Sequence, residues 1–106
     1  MNHRIRTAAM ILLAASIAAP AFAQSAGADT YKAKCAMCHG PDGTAATPMG
    51  KMMKIPSFKA PDQVKATEAS YIAITKNGKG KMPAYNGKLT DSQIKEVVSF
   101  IRTLQK

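Results

Sequence analysis

Between residues 40 and 61 the chain carries Gly40, Pro41, Gly43, Pro48, Gly50, Pro56 and Pro61. Each proline removes a backbone donor and fixes φ, and each glycine loosens the chain, so no long helix or strand runs through this stretch. The whole chain has 106 residues, enough for one domain. An irregular segment of some twenty residues is uncommon in so small a unit and is usually functional. A hydrophobic content of 46% argues against a disordered tail. The segment therefore needs something to wrap around.

Part of that apolar content lies in an N-terminal run. His3, Arg4 and Arg6 make a basic start, and Ala8 to Ala19 is an apolar stretch of twelve residues broken only by Ser16. Pro20 breaks the run, and Ala21-Phe22-Ala23 offers small residues at the two positions a signal peptidase reads. A membrane-spanning helix needs ~20 apolar residues, and this run is shorter. Residues 1–23 are thus expected to be a cleaved export signal. No cysteine follows the cut site to carry a lipid. Removal of 23 of the 106 residues leaves 83, with 13 basic against 6 acidic side chains once Arg4 and Arg6 are gone. A domain of this size rarely stabilises itself with side chains alone.

Three helices are expected in residues 24–106. The first covers about Asp29 to Ala36, with Asp29 or Thr30 as cap. Lys51 to Ile55 is given a single turn. A second helix starts near Thr67 and runs to about Lys76, stopped by Asn77-Gly78, and Gly78 to Gly87 is loop. The third is the clearest. Thr90-Asp91-Ser92-Gln93 has the form of a capping box, and Ile94, Val97, Val98, Ile101 and Leu104 then recur at three- and four-residue steps. No segment reads as a strand, and there is no internal repeat.

Cys35-Ala36-Met37-Cys38-His39 is a C-x-x-C-H motif. Two thiols three positions apart on a helical turn can each add to one vinyl group of haem, and the next residue can place an imidazole nitrogen on the iron from the same side. In bacteria this attachment is made outside the cytoplasm, which agrees with the export segment. A thioredoxin-like redox pair would need a βαβ setting, which is missing. Two cysteines make neither a disulfide framework nor a four-thiolate zinc site, and His39 is the one histidine left after cleavage.

A six-coordinate iron needs a second axial ligand, and a methionine thioether is the natural donor here. Met37 lies inside the motif, on the wrong side of the ring. Met49 is ten residues past His39, a span of at most ~35 Å that barely passes around the haem edge. Met52 and Met53 have the reach, in a cluster that also suits packing. Met82 is stiffened by Pro83 on one side and preceded by Gly78-Lys79-Gly80-Lys81 on the other. Met82 is favoured, with Met52 and Met53 as the alternatives.

These segments resemble the class I c-type cytochromes, the small single-haem bacterial kind. Gly27-x-x-x-Tyr31-x-x-x-Cys35 resembles the family's first helix and Cys35–Gly40 its attachment site. Gly78 to Tyr85 resembles the sixth-ligand loop, and Leu89 to Ile101 the final helix, with Phe100 at its aromatic position. The resemblance covers nearly all of residues 24–106. It implies an all-α fold of three main helices plus loops, the first and last crossing near a right angle, around one haem c held by two thioether bonds. It further implies a proline carbonyl accepting from the axial histidine's second nitrogen, for which Pro48 and Pro56 are both placed.

With His39 and Met82 on the iron, no position is left for a substrate, so the site exchanges electrons and does no catalysis. The expectation is a soluble, monomeric periplasmic carrier of positive potential, with no membrane insertion after signal cleavage and no nucleic-acid partner. Lys76, Lys79, Lys81 and Lys88 fall in a stretch free of acidic residues, as do Lys51, Lys54 and Lys59. Placed around the haem crevice, they would steer an acidic redox partner: an oxidase, reductase or dehydrogenase. The alternatives are a permanently bound cytochrome subunit of a larger periplasmic oxidoreductase, and a peroxidase or gas-binding protein lacking the Met82 bond.

Overall fold

The computed structural model describes the backbone of residues 19–106 and side chains from residue 25 onward. Six helices follow in order: α1 (Ala19–Lys34), α2 (Ala36–His39), α3 (Pro48–Met52), α4 (Pro61–Lys65), α5 (Glu68–Asn77) and α6 (Asp91–Leu104). The described residues contain no strand, only isolated bridges at Lys79–Met82 and Asn86–Leu89. The all-α expectation holds. The expected export signal, residues 1–23, lies outside the described residues except for its last five, which form part of the α1 backbone.

Helix α6 forms where the capping signal places it. The Gln93 N–H donates to the Thr90 hydroxyl at 3.1 Å, and the Thr90 N–H donates to the Gln93 side-chain oxygen at 2.9 Å. Its apolar stripe is the core: Ile94, Val97, Val98 and Ile101 are buried, the two valines completely. Burying side chains of this size contributes about 1.5–3 kcal/mol each.

Against that stripe lies α1. A Cβ on Gly27 would sit 2.3 Å from the Glu96 carbonyl oxygen, so only glycine lets the two backbones approach this closely. One turn on, the Tyr31 ring meets Phe100 with centroids 5.2 Å apart and planes at 55°. Helix α5 packs on the same helix. It starts on Thr67, whose hydroxyl accepts from the Ser70 N–H, and stops at Gly78, where φ is +77°.

Three boundaries differ from expectation. The first helix includes residues well before Asp29 and stops at Lys34, with Cys35 a break before α2. The alanine-rich stretch before Asp29 has little apolar periodicity to reveal it; contact with α6 supplies what propensity lacks. The turn expected at Lys51–Ile55 lies three residues earlier, as α3, because Thr47 and Pro48 are a cap and first-turn pair. Pro61 likewise opens α4, which the sequence reading missed.

Candidate functional site

The motif residues sit at a corner of the chain. Cys35 closes the end of α1, its N–H donating to the Tyr31 carbonyl at 2.8 Å, and α2 carries Cys38 and His39. Each carbonyl that follows is held by a partner from elsewhere in the chain. The Cys38 carbonyl accepts the Thr47 hydroxyl at 2.9 Å, the His39 carbonyl accepts the Ala45 N–H at 2.7 Å, and the Gly40 carbonyl accepts the Tyr31 hydroxyl at 2.6 Å. Burial, with Cys35 next, pushes the Tyr31 phenol well up, so it stays a donor.

That wrapping strains one position and closes tightly on another. Ala45 is buried with φ +58°, a left-handed conformation unusual for a residue with a side chain. Gly50 fits because it has none: a Cβ there would stand 2.3 Å from the Ala45 carbonyl oxygen and 2.7 Å from that of Cys38.

Cys35, Cys38 and His39 open onto a cavity of about 750 Å³. That is within the ~300–1,000 Å³ range of cofactor sites. Met82 and Met53 border the same cavity, as do Phe58, Tyr71 and Tyr85. Met52 and Met37 are 74% and 77% exposed, and Met49 is off the lining. Of the methionines weighed from sequence, Met82 and Met53 therefore share the cavity with His39. Met82 is set in a tight turn whose ends exchange hydrogen bonds: Met82 N–H to the Lys79 carbonyl at 3.0 Å and Lys79 N–H to the Met82 carbonyl at 3.2 Å. Gly78 permits the turn, since a Cβ there would be 2.8 Å from the Met82 carbonyl oxygen.

The donor set suits haem c on three counts. The cysteines are free thiols. Burial, then the neighbouring Cys38, pushes the Cys35 thiol up to about 11, unlike the acidic thiolate of a redox pair. The His39 imidazole stacks on Phe58, centroids 4.5 Å apart, and burial lowers its pKa, favouring the neutral form that binds metals. Its Nδ1 is buried without a hydrogen-bond partner. Neither Pro48 nor Pro56 supplies the carbonyl implied by resemblance. A buried nitrogen left without a partner costs about 1–3 kcal/mol.

The lysines divide in space. Lys54, Lys79 and Lys81 border the cavity, and so does Lys34, which the charge pattern did not single out. Lys76 is paired with Asp91 at 3.2 Å, and Lys88 sits over the Tyr85 ring. Phe58, Thr47 and Gln105 are further contributors the sequence reading missed. Thr47 alone carried a local signal, its place before Pro48.

A helical shell around an apolar cavity, with paired thiols, an imidazole and a thioether at its wall, defines a haem-binding electron-transfer protein. The chain belongs to the class I c-type cytochromes. Residues 22–101 match the family model described as cytochrome c oxidase, cbb3-type, subunit III. The cytochrome c6 of Picosynechococcus sp. is 36% identical over 89 residues, covering 77% of this chain and 75% of that protein. The cytochrome c6 of Leptolyngbya boryana is 35% identical over 77 residues, covering 73% and 87%. Among solved structures, the KustC0563 c-type cytochrome superposes with a TM-score of 0.70 at 27% identity, covering 76% of this chain and 98% of its own. The family's cofactor is one covalently held haem c, and its work is electron transfer.

Proposed function

We propose that this chain is an exported, freely diffusing one-electron carrier of the periplasm. Cys35 and Cys38 would hold haem c through thioether bonds, and His39 and Met82 would ligate its iron. The bound group supplies one-electron exchange between ferrous and ferric iron. The observation that carries this reading is the convergence of Cys35, Cys38, His39 and Met82 on one cavity.

The chain's part is to hold. The carbonyl partners of Cys38, His39 and Gly40 fix the motif backbone, the Lys79–Met82 turn fixes the Met82 backbone, and Phe58, Tyr71 and Tyr85 give the cavity aromatic walls. A thioether ligand and a largely apolar wall both favour the ferrous state, so the midpoint potential is positive. Signal cleavage after Ala23 would keep both α1 contact points, Gly27 and Tyr31.

The ligand set is tested by the visible spectrum of Met82→Ala. Loss of the weak red thioether–iron band is expected. Its retention would remove Met82 from the iron and leave Met53 as the candidate. Lys34, Lys54, Lys79 and Lys81 at the cavity rim support docking to acidic redox partners, so transfer rates should fall as salt rises. Rates indifferent to salt would exclude steering.

A second reading, a permanently bound subunit of a larger oxidoreductase, is favoured by two observations. The matching family model is described as an oxidase subunit, and Met37 and Met52 expose apolar side chains. Elution of the native protein at monomer size in size-exclusion of an unfractionated extract supports the carrier; co-elution with a large complex supports the subunit.

A further inference from the structure

Behind the cavity wall lies a charge with no acidic partner among the described residues. Arg102, in the last turn of α6, places its guanidinium carbon 4.6 Å from the centroid of the Tyr71 ring. Tyr71 borders the cavity and Arg102 does not, so the charge lies outside the lining, in contact with a ring that forms part of it. Its hydrogen bonds go to neutral acceptors only: the carbonyls of Val64 and Ala66, and the Gln105 side-chain oxygen at 3.0 Å. The one ion pair among the described residues is Lys76–Asp91, elsewhere on the surface.

The surroundings hold this group in place. The two N–H groups of the Gln105 amide are shared among three acceptors, the Phe58 carbonyl at 3.1 Å, the Gln63 carbonyl at 3.1 Å and the Tyr71 hydroxyl at 2.9 Å. Tyr71 in turn donates to the Gln63 carbonyl at 2.9 Å. Arg102 of α6 and Gln105, the residue that caps its end, thus fasten the cavity wall of Phe58, Gln63 and Tyr71 while presenting it with a half-buried cation. A partly desolvated charge acts over a longer range than one in water. Oxidation of the iron adds one positive charge to the cavity, and a fixed cation nearby opposes that addition.

Resting on the proposed haem site, we infer that Arg102 sets the redox potential of this cytochrome through space, holding it above the value the cavity alone would give. Arg102 is not part of the cavity lining, and its contacts are with Val64, Ala66, Gln105 and Tyr71.

The test is a redox titration of purified holoprotein variants, with haem content checked by pyridine haemochrome and stability by thermal melt. Arg102→Lys keeps the charge and loses the planar fork, whereas Arg102→Gln keeps donors and loses the charge. Gln105→Glu leaves Arg102 in place and sets a carboxylate beside it, neutralising the pair by a second route. Both Arg102 variants should melt below the native protein. The midpoint should stay near native in Arg102→Lys and move to lower potential in Arg102→Gln and in Gln105→Glu. A native midpoint in either of the last two, or an equal fall in all three, overturns the inference. A native protein without a haemochrome spectrum would instead overturn the haem site itself, so the two failures are distinct.

Discussion

At the scale of single residues, the hydroxyls on the motif backbone give the most direct tests. Tyr31 is 2% exposed and donates to the Gly40 carbonyl. Tyr31→Phe keeps the ring against Phe100 and removes that bond, which should lower stability by about 1 kcal/mol in thermal melts. Asp42 gives a pH dependence. Hydrogen bonds from the Thr44 hydroxyl and then the Thr44 N–H hold its carboxyl below the usual carboxylate range. A depressed carboxyl stabilises the fold above its unfolded-state pKa and loses that contribution as pH falls through the folded value. Asp42→Asn should therefore melt below the native protein at neutral pH, and the gap should close in acid. The motif Cys35–His39 was legible in sequence because its chemistry depends on local spacing. Phe58 and Gln105 were not, since they reach the site from nineteen residues beyond His39 and from the chain's far end.

At the scale of elements, α6 and α1 carry the fold. The Thr90 cap satisfies a backbone donor that is otherwise unpaired, and Thr90→Ala should cost about 1 kcal/mol by denaturant titration. Gly27→Ala should cost more, about 1–3 kcal/mol, because the added methyl meets backbone rather than a movable side chain. Equal losses at the two positions would contradict the close approach of α1 to α6. Helices α5 and α6 were read correctly at their starts because Thr67 and Thr90 announce them locally. Helices α3 and α4 begin on Pro48 and Pro61, and prolines crowded among glycines read as breakers when two of them are first-turn residues. The early part of α1 has no periodic signal at all, since its partner is nearly seventy residues away.

At the scale of the molecule, the question is what fills the interior. Among the described residues the hydrophobic core lies along α6, and beside it a cavity of about 750 Å³ has Val97, Ile101, Phe58 and Tyr71 on its wall. Filling that cavity with an apolar group removes this wall from water and stabilises the fold. Replacing both Cys35 and Cys38 by Ser should abolish the cooperative thermal transition seen for the holoprotein, measured by circular dichroism. A sharp native-like transition in that variant would show that the core is complete without the cofactor. The irregular stretch from Gly40 to Pro61 already indicated a missing interior; its size and the identity of its aromatic walls depended on tertiary placement.

The packing of α1 on α6 has one more consequence, for the order of assembly. A polypeptide that emerges amino end first presents the paired thiols long before residue 96 can dock against Gly27. Until the tail arrives, the first helix lacks the surface that holds it. The two sulfurs then lie beside a helix whose packing partner has yet to form, and they stay accessible until the carboxyl-terminal helix docks.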